Sequence, residues 1–236
     1  MILNSFLGVL SIIWLRRILY EIFSITHRIM ALAVLSLLWS HIKLRFSLST
    51  ICLSIITVFW ALEKILWVIF LVYRNSGSGL RNSAARSLFP STTSQIAQVR
   101  VSLRRPMTVF PGQYVYITIP TVPHMLLGFF QAHPYMIAWS SNDNGRTEIV
   151  LLISVKKGFS RAITYYQEYS HVMVDGPYGN SYHFNKFDKV LFMASGIGIA
   201  AHLVPIRYLI RAHNERSARV RRISLMWMLE KDSKAS

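Results

Sequence analysis

Two histidines in a strongly apolar part of the sequence have a spacing that suits metal binding. His27 and His41 are 14 residues apart, and in an α-helix this separation returns to within roughly 40° of the same face while rising roughly 21 Å. One helical stripe would therefore present two imidazoles at two depths of a bilayer about 30 Å thick. Ionisable residues inside membrane spans are costly and usually serve a function. Two polar positions that face a neighbouring helix explain the spacing equally well.

Membrane-spanning helices are the elements that would carry these histidines. Residues 1–73 are almost continuously apolar, and we predict spans at about 18–42 and 50–73, joined by a polar loop. Residues 1–14 are expected to be the tail of an earlier span. They lack the basic start and the small-residue cleavage site of a signal peptide.

Basic residues are unequally distributed around these spans. Only Lys43 and Arg45 lie in the loop between them, whereas five arginines lie on the opposite side. The positive-inside rule therefore places everything after residue 73 in the cytosol. The five arginines are Arg16, Arg17, Arg74, Arg81 and Arg86.

The overall composition excludes some classes of function. The 236 residues carry a formal net charge of +16, but no helix-turn-helix, RNP-like or zinc-finger pattern accompanies it, so we expect no nucleic-acid partner. Attraction to an anionic leaflet and to phosphate-bearing ligands explains the charge more simply. The single cysteine, Cys52, lies inside a predicted span, so we expect neither an internal disulfide nor a cysteine-metal site.

The hydrophobic pattern changes after a Ser/Gly/Asn-rich linker at 76–94. Alternating segments at 96–103, 114–119 and 148–154 predict strands of a small antiparallel barrel or sandwich over 95–183. Beyond it, a strand at 189–194, a tight turn at 195–198, a helix at 199–213 and a strand at 221–229 predict a β-α-β unit. One such unit cannot complete a doubly wound sheet. The predicted fold class is thus a membrane α-helical segment, 1–75, followed by an α/β soluble part, with an antiparallel β-barrel and a truncated doubly wound domain at 184–236.

Three segments of the soluble part have the composition of ligand-binding motifs. In HPYMIAWS (133–140), proline fixes the local backbone, so that an aromatic ring and backbone amides can lie along a flat ligand; a buried strand that begins with proline is equally consistent. GFS (158–160) precedes a predicted helix at 161–168 with Ser160 as its N-cap, where free amides suit a pyrophosphate, although an ordinary capped helix is the simpler interpretation. SGIG (195–198) lies between a strand and a helix, where glycine permits close approach of dinucleotide phosphates, but it is not the full G-x-G-x-x-G pattern.

Five motifs in order resemble the ferric reductase and NADPH oxidase family, and most closely the fungal ferric reductases. In the membrane part, RILYEIF (17–23) followed by His27 and His41 is similar to the fifth core span of that family. The resemblance covers nearly the whole chain. The five motifs are PGQYVY (111–116), HPYMIAWS (133–140), GFS (158–160), DGPYG (175–179), a turn by composition, and SGIGI (195–199).

The resemblance implies cofactors and the residues that bind them. It implies haem b at His27 and His41, FAD along the 133–140 and 158–160 motifs, and NADPH at 195–198. Met136 and Ser195 depart from the family, which commonly has a small hydroxyl residue and a glycine at these positions. The FAD residues are His133, Pro134, Tyr135, Met136, Ile137, Ala138, Ser140, Gly158 and Ser160, and the NADPH residues are Ser195, Gly196, Ile197 and Gly198.

The function that the resemblance implies is a ferric-chelate reductase. Electrons would pass from NADPH through FAD and haem to ferric iron or ferric chelates, in a multi-pass protein of the plasma membrane with cytosolic soluble domains. No side-chain acid or base is required. The preference for NADPH over NADH rests on the family, since Lys231 suits a 2′-phosphate while Glu230 suits a free ribose hydroxyl. A superoxide-producing NADPH oxidase-like enzyme, a membrane-tethered flavin reductase and a catalytically silent fragment remain alternatives.

Haem binding is expected to be incomplete in this chain. A haem held between two histidines needs one from each of two helices, whereas His27 and His41 belong to the same helix. The chain is therefore expected to be the middle of a longer reductase. Glu63 and Lys64 could pair with each other or meet a haem propionate, and a structural or snorkelling role is favoured. The other histidines show no metal spacing and are expected at the surface: His124, His171, His183, His202 and His213.

Overall fold

The chain divides into two compact units, Met1–Ile69 and Phe70–Ser236. The predicted haem ligands fall in the first unit, and the predicted FAD and NADPH residues fall in the second. A computed structural model describes most of both units. The described residues are 20–42, 48–76, 84–88, 96–118, 132–143, 146–155, 160 and 170–229.

The first unit contains two helices, α1 (Tyr20–Ile42) and most of α2 (Leu48–Asn75), whose final residues from Phe70 belong to the second unit. Trp39 Nε1 donates a hydrogen bond from α1 to Thr57 Oγ1 of α2 at 3.2 Å. Among the described residues, α2 is the one helix that is long and apolar enough to cross a membrane. It extends two residues beyond each end of the predicted span. The predicted multi-pass arrangement stays a prediction.

The second unit is built mainly on a seven-stranded antiparallel sheet with the order β6-β1-β2-β5-β4-β3-β7. The strands at the two ends of this order, β6 and β7, are separated in sequence only by Val172, so the sheet closes on itself as a barrel. The strands are β1 (Ala84–Leu88), β2 (Ile96–Leu103), β3 (Tyr114–Thr118), β4 (His133–Asp143), β5 (Arg146–Ser154), β6 (Ser170–His171) and β7 (Met173–Tyr178).

The barrel core follows the alternation seen in the sequence. Every second residue of a half-buried strand points inward, so the burial of Val99, Val101, Ile149 and Leu151 follows directly from the pattern. The three predicted strands are confirmed within two residues at each end. Val172 and Val174 pack into the same core.

Strand β1 lies inside the segment that was predicted as a linker. Its residues pair with β2 from Ala85↔Val101 to Leu88↔Gln98. The Ser/Gly/Asn-rich composition around 76–94 masks this strand because only five residues are involved and they include Arg86 and Ser87. The linker prediction is therefore wrong for residues 84–88.

The turn predicted at 175–179 is mostly a strand. Asp175, Gly176 and Tyr178 belong to β7, which pairs with β3 through a register shift between Tyr114 and Tyr116. Gly176 has φ +129°, a conformation that glycine adopts readily. The Gly and Pro residues thus build an irregular strand rather than a chain reversal.

A β-α-β unit follows the barrel. Strands β8 (Lys189–Ser195) and β9 (Arg222–Met228) are parallel and are joined by α3 (Ala200–Asn214). Val190, Phe192, Leu209 and Val220 form a small separate core. These boundaries lie within one residue of the prediction, and the predicted fold class is confirmed: an apolar helix precedes an antiparallel barrel and a βαβ unit.

Candidate functional site

A groove of about 310 Å³ opens on the barrel surface between β3 and β4. In the ladder, Tyr114 lies opposite Met136 and Tyr116 lies opposite Pro134. The two strands thus bring three residues of the 133–140 motif, Pro134, Tyr135 and Met136, against two tyrosines of the 111–116 motif. The groove is shallow, aromatic and apolar, which suits a flat ring system.

Three tyrosines form an aromatic cluster beside this groove. The ring centroids of Tyr114 and Tyr116 are 5.7 Å apart, and Tyr178 lies 6.0 Å from Tyr114 and 5.7 Å from Tyr116. The Tyr178 hydroxyl donates to Asp175 Oδ1 at 2.7 Å. The cluster therefore joins β3 to the irregular strand β7.

These three tyrosines were not predicted as site residues, although the motifs at 111–116 and 175–179 contain them. A signal was present for two of them. Tyr114 and Tyr116 are two residues apart in a strand, so their side chains must share one face. Tyr178 could not be found in this way because its approach depends on the irregular path of β7.

The residues predicted along 133–140 separate into two groups. Pro134, Tyr135 and Met136 line the groove, whereas the side chains of Ile137 and Ala138 are only 2% and 0% exposed. A register shift between Ile137 and Trp139 in the β4–β5 ladder explains why two consecutive side chains point inward. At Ile137 and Ala138, only backbone atoms are available to a ligand.

Burial changes the chemistry of one groove residue. Tyr135 is half-buried, and burial raises the pKa of its phenol to about 12. Its ring packs against the barrel core, so the shift alters its titration only at alkaline pH. His133 is half-buried at the start of the same strand.

The second half of the predicted FAD site is only partly described. Gly158 and the predicted helix at 161–168 lie outside the described residues. Ser160 is half-buried and has helical backbone. Its neighbours on both sides lie outside the described residues, so its role as an N-cap stays a prediction.

The predicted NADPH residues lie at the carboxyl end of β8. Ser195 ends the strand, and a short 3₁₀ turn, Gly196–Ile199, leads into α3. Trp227 Nε1 of β9 donates to the Gly196 carbonyl at 2.9 Å and holds the turn against the sheet. Within the part of the chain that the structure describes, no atom would lie within 4 Å of a Cβ at Gly198. Packing against these residues therefore does not require glycine at 198.

Arg207 of α3 connects the βαβ unit to strand β4. Its Cζ lies 4.2 Å from the centroid of the Trp139 ring, and its Nη1 donates to the Ser140 carbonyl. Trp139 and Arg207 also line a cavity of about 400 Å³ along α3. Ser140, predicted to contact FAD, thus lies against the βαβ unit and is not among the residues that line the groove.

Comparisons with known proteins agree with this geometry. An FAD-binding domain family matches residues 86–182, which include every residue of the groove and of the tyrosine cluster. Ferric reductase transmembrane component 3 of Saccharomyces cerevisiae is 24% identical over 85% of this chain and 27% of its own length. Ferric/cupric reductase transmembrane component 2 of the same yeast is 26% identical over 83% of this chain and 26% of its own length. The chain is therefore similar to ferric reductases over most of its length.

The chain spans about a quarter of the length of these curated relatives. Among solved structures, an NADH-dependent reduced ferredoxin-NADP oxidoreductase superposes with a TM-score of 0.49 at 16% identity, covering 66% of this chain and 51% of that chain. That likeness is too weak to support a conclusion about ligands.

The two predicted haem ligands are both on α1. His27 and His41 are exposed, and the Phe23 ring stacks on His27 with centroids 5.5 Å apart. Helices α1 and α2 contain no third histidine. Each histidine can therefore supply one of the two axial ligands of a bis-histidine haem, and a second helix must supply the other.

The remaining candidates have structural partners. Glu63 Oε2 and Lys64 Nζ form an ion pair at 2.8 Å, as one interpretation of the sequence predicted. His202 Nε2 lies 3.0 Å from the Met193 carbonyl, and His213 Nδ1 lies 2.9 Å from the Val220 carbonyl. His183 and His213 are exposed and His202 is half-buried, whereas His124 and the side chain of His171 lie outside the described part.

Proposed function

We propose that this chain belongs to a transmembrane oxidoreductase, a ferric-chelate reductase (NADPH), that passes electrons from NADPH by way of FAD and haem to ferric iron. The observation that carries the proposal is the aromatic groove of Tyr114, Tyr116, Pro134, Tyr135 and Met136. It lies within the part that matches an FAD-binding domain family. The names of the relatives supply ferric iron as the proposed acceptor.

The groove residues fit the isoalloxazine ring of FAD. Aromatic and thioether side chains offer a flat, polarisable surface. Bound FAD would supply the chemistry that links a two-electron donor to one-electron acceptors. The chain's own part is to hold the ring and keep water from one of its faces.

NADPH is proposed to bind at the turn from Ser195 to Gly198. Backbone amides at the start of α3 and the open space above Gly198 favour a close approach of phosphate oxygens. Arg207, which contacts both Trp139 and Ser140, would keep this turn in a fixed position relative to β4. The nicotinamide and the flavin would then lie on neighbouring parts of one unit.

The membrane part is proposed to lie in the plasma membrane with the barrel in the cytosol. The length and composition of α2 support one span. Several hydroxyl side chains in both helices donate to carbonyls of their own helix, for example Ser36 to Leu32 at 2.8 Å and Thr57 to Leu53 at 2.7 Å. This internal pairing suits an apolar environment.

Haem b at His27 and His41 is the least complete part of the proposal because each position provides only one axial ligand. This observation favours a second candidate function, a membrane-tethered flavin reductase that transfers electrons from NADPH without haem. The two candidates share the groove and the nucleotide turn, and they differ only in the membrane part.

Absorption spectra of the purified full chain, oxidised and after addition of NADPH, separate the two candidates. The complete function predicts that the flavin band bleaches and that sharp bands of reduced haem appear. The tethered reductase predicts bleaching of flavin alone, and a preparation without chromophore would contradict both. His27→Ala should remove part of the haem signal and leave the flavin band intact. An unchanged haem spectrum in this variant would contradict the assignment of His27.

A further inference from the structure

Two arginines meet at a small cavity beside the end of α2. The cavity has a volume of about 210 Å³ and is lined by Tyr73, Arg74, Arg105 and Pro106. Arg74 belongs to the last turn of α2, and Arg105 lies in the segment that follows β2. All of these residues belong to the second unit.

Aromatic rings of the helix hold both guanidinium groups. The Arg74 Cζ lies 5.2 Å from the centroid of the Phe70 ring, and the Arg105 Cζ lies 3.8 Å from the centroid of the Tyr73 ring. Phe70 and Tyr73 are three residues apart and therefore share one face of the helix. Stacking on a ring restricts the guanidinium plane and leaves its edge N–H groups free to point at an acceptor.

Arg105 also neutralises the carboxyl end of the helix. Its Nε donates to the carbonyls of Tyr73 at 2.7 Å and Ser76 at 3.1 Å. Helix carboxyl ends carry partial negative charge, which would otherwise repel an anion. Because Nε satisfies these carbonyls, the terminal amino groups are the donors of Arg105 that remain for a ligand.

Arg74 contributes a donor that lacks an acceptor. Its Nη1 is buried and has no hydrogen-bond partner within the described residues. Asp175 is the acidic group whose charge acts on Arg74, but its Oδ1 already accepts the Tyr178 hydroxyl at 2.7 Å. A buried N–H of a charged group without an acceptor is costly, so the geometry favours an additional anionic partner.

We propose that Arg74 and Arg105 form a binding site for a phosphate group at the end of α2. Arginine matches phosphate geometry with paired N–H donors. The cavity is several times larger than the roughly 30 Å³ that one water occupies in the liquid, so a phosphate with bridging water fits. The phosphate can come from the headgroup of an anionic lipid or from solution. The lipid source rests on the proposed membrane placement of α2, whereas the phosphate chemistry does not.

Ligand binding to the purified full chain in detergent tests the site. Inorganic phosphate is titrated by calorimetry, and retention of phosphatidic acid against phosphatidylcholine is measured by native mass spectrometry. The variants are Arg74→Gln and Arg105→Gln. Arg222→Gln is the matched control, because Arg222 is exposed at the start of β9 and its replacement removes the same charge.

We expect wild type and Arg222→Gln to bind phosphatidic acid in preference to phosphatidylcholine, and each site variant to bind at least roughly tenfold more weakly. Binding of phosphatidic acid together with inorganic phosphate indicates a general phosphate site, and binding of the lipid alone indicates a headgroup site. The inference is overturned if neither ligand binds, or if the site variants bind as the control does. If Arg74→Gln fails to fold, Arg74→Lys takes its place. Lysine keeps the charge but lacks the paired N–H donors of the guanidinium, so this variant should also bind more weakly.

FAD binding is measured on the same samples. A chain that binds FAD but no phosphate overturns this inference alone. A chain that binds phosphate but no FAD supports this inference and contradicts the proposed function.

Discussion

At the residue scale, Tyr135 links the groove to a measurable pH dependence. Its pKa is raised by burial to about 12, whereas a tyrosine in the unfolded chain has a pKa of about 10. The folded state therefore keeps the phenol proton more tightly, and its contribution to stability is complete below about pH 10 and is lost as the pH rises towards about 12.

Tyr135→Phe should remove this part of the alkaline destabilisation. Lysines also titrate in this range, so the informative quantity is the difference between wild type and Tyr135→Phe. Denaturant midpoints at pH 8 and pH 11 should show a smaller decrease in the variant. Equal decreases in both proteins would contradict the burial of the Tyr135 phenol.

Gly198 and Gly112 differ in the space that an added Cβ would meet. A Cβ at Gly198 meets no atom within 4 Å, whereas a Cβ at Gly112 would lie 2.3 Å from Tyr182 Cε2, at a φ of +87°. The fold therefore requires glycine at 112, whereas packing among the described residues does not require it at 198.

Gly198→Ala should keep thermal stability and weaken NADPH binding by roughly tenfold, since the new methyl group occupies space proposed for the nucleotide. Gly112→Ala should lower thermal stability because alanine is strained in this left-handed conformation and its Cβ would clash with the Tyr182 ring. Thermal melts and NADPH titrations on both variants check this contrast. Unchanged NADPH affinity in Gly198→Ala would remove the turn from the proposed site.

Sequence could predict the 133–140 segment as a strand, but not which of its side chains are accessible. The register shift in β4 turns both Ile137 and Ala138 inward. Such a shift depends on the neighbouring strand and leaves no signal in the alternation of β4 itself. The same holds for Tyr178, which reaches the tyrosine cluster only through the irregular β7.

At the scale of elements, Asn75 attaches the end of α2 to strand β7 of the barrel. Asn75 Oδ1 accepts from the Val174 amide at 2.9 Å, and Asn75 Nδ2 donates to the Val174 carbonyl at 2.9 Å. This paired contact covers the outer edge of β7, the last strand of the sheet order, in the way that a further strand would. Asp175, the next residue, is bonded to Tyr178 of the aromatic cluster.

Asn75→Ala should release the Val174 amide. The loss of this hydrogen-bonded pair should cost about 1–3 kcal/mol, because the backbone groups of Val174 lose their partners. Amide hydrogen exchange at Val174 should become faster, while Asn142→Ala, at an exposed position of β4, should leave it unchanged. Retained protection of the Val174 amide in Asn75→Ala would show that Asn75 does not hold this strand edge.

Elements with a clear period could be predicted from the sequence, whereas short or irregular ones could not. The helix α3 and the strands β2, β8 and β9 were predicted to within one residue because their apolar positions repeat regularly. Strand β1 was missed because five residues of mixed composition carry no clear alternation. The sequence predicts a turn at β7 because glycine and proline ordinarily end strands. This segment forms a strand through its pairing with β3.

At the scale of the whole molecule, the two units differ in how many of the proposed binding features they contain. The second unit contains both the aromatic groove and the turn proposed for NADPH, and an FAD-binding domain family matches most of its barrel. The first unit contains His27 and His41 on one helix, each able to supply one axial ligand. The spacing of these histidines could be read from the sequence, but a second histidine for each proposed haem could not, since it would lie on another element.

FAD binding by the purified full chain, measured by titration in detergent, tests the central claim most directly. Wild type should bind one FAD per chain, and Tyr116→Ala should bind about tenfold more weakly because it removes an aromatic wall of the groove, a contact worth about 1 kcal/mol or more. Tyr208→Ala, at an exposed position of α3, should bind like wild type. No FAD binding by wild type, or equal affinity in Tyr116→Ala and Tyr208→Ala, would contradict the assignment of this groove to the flavin.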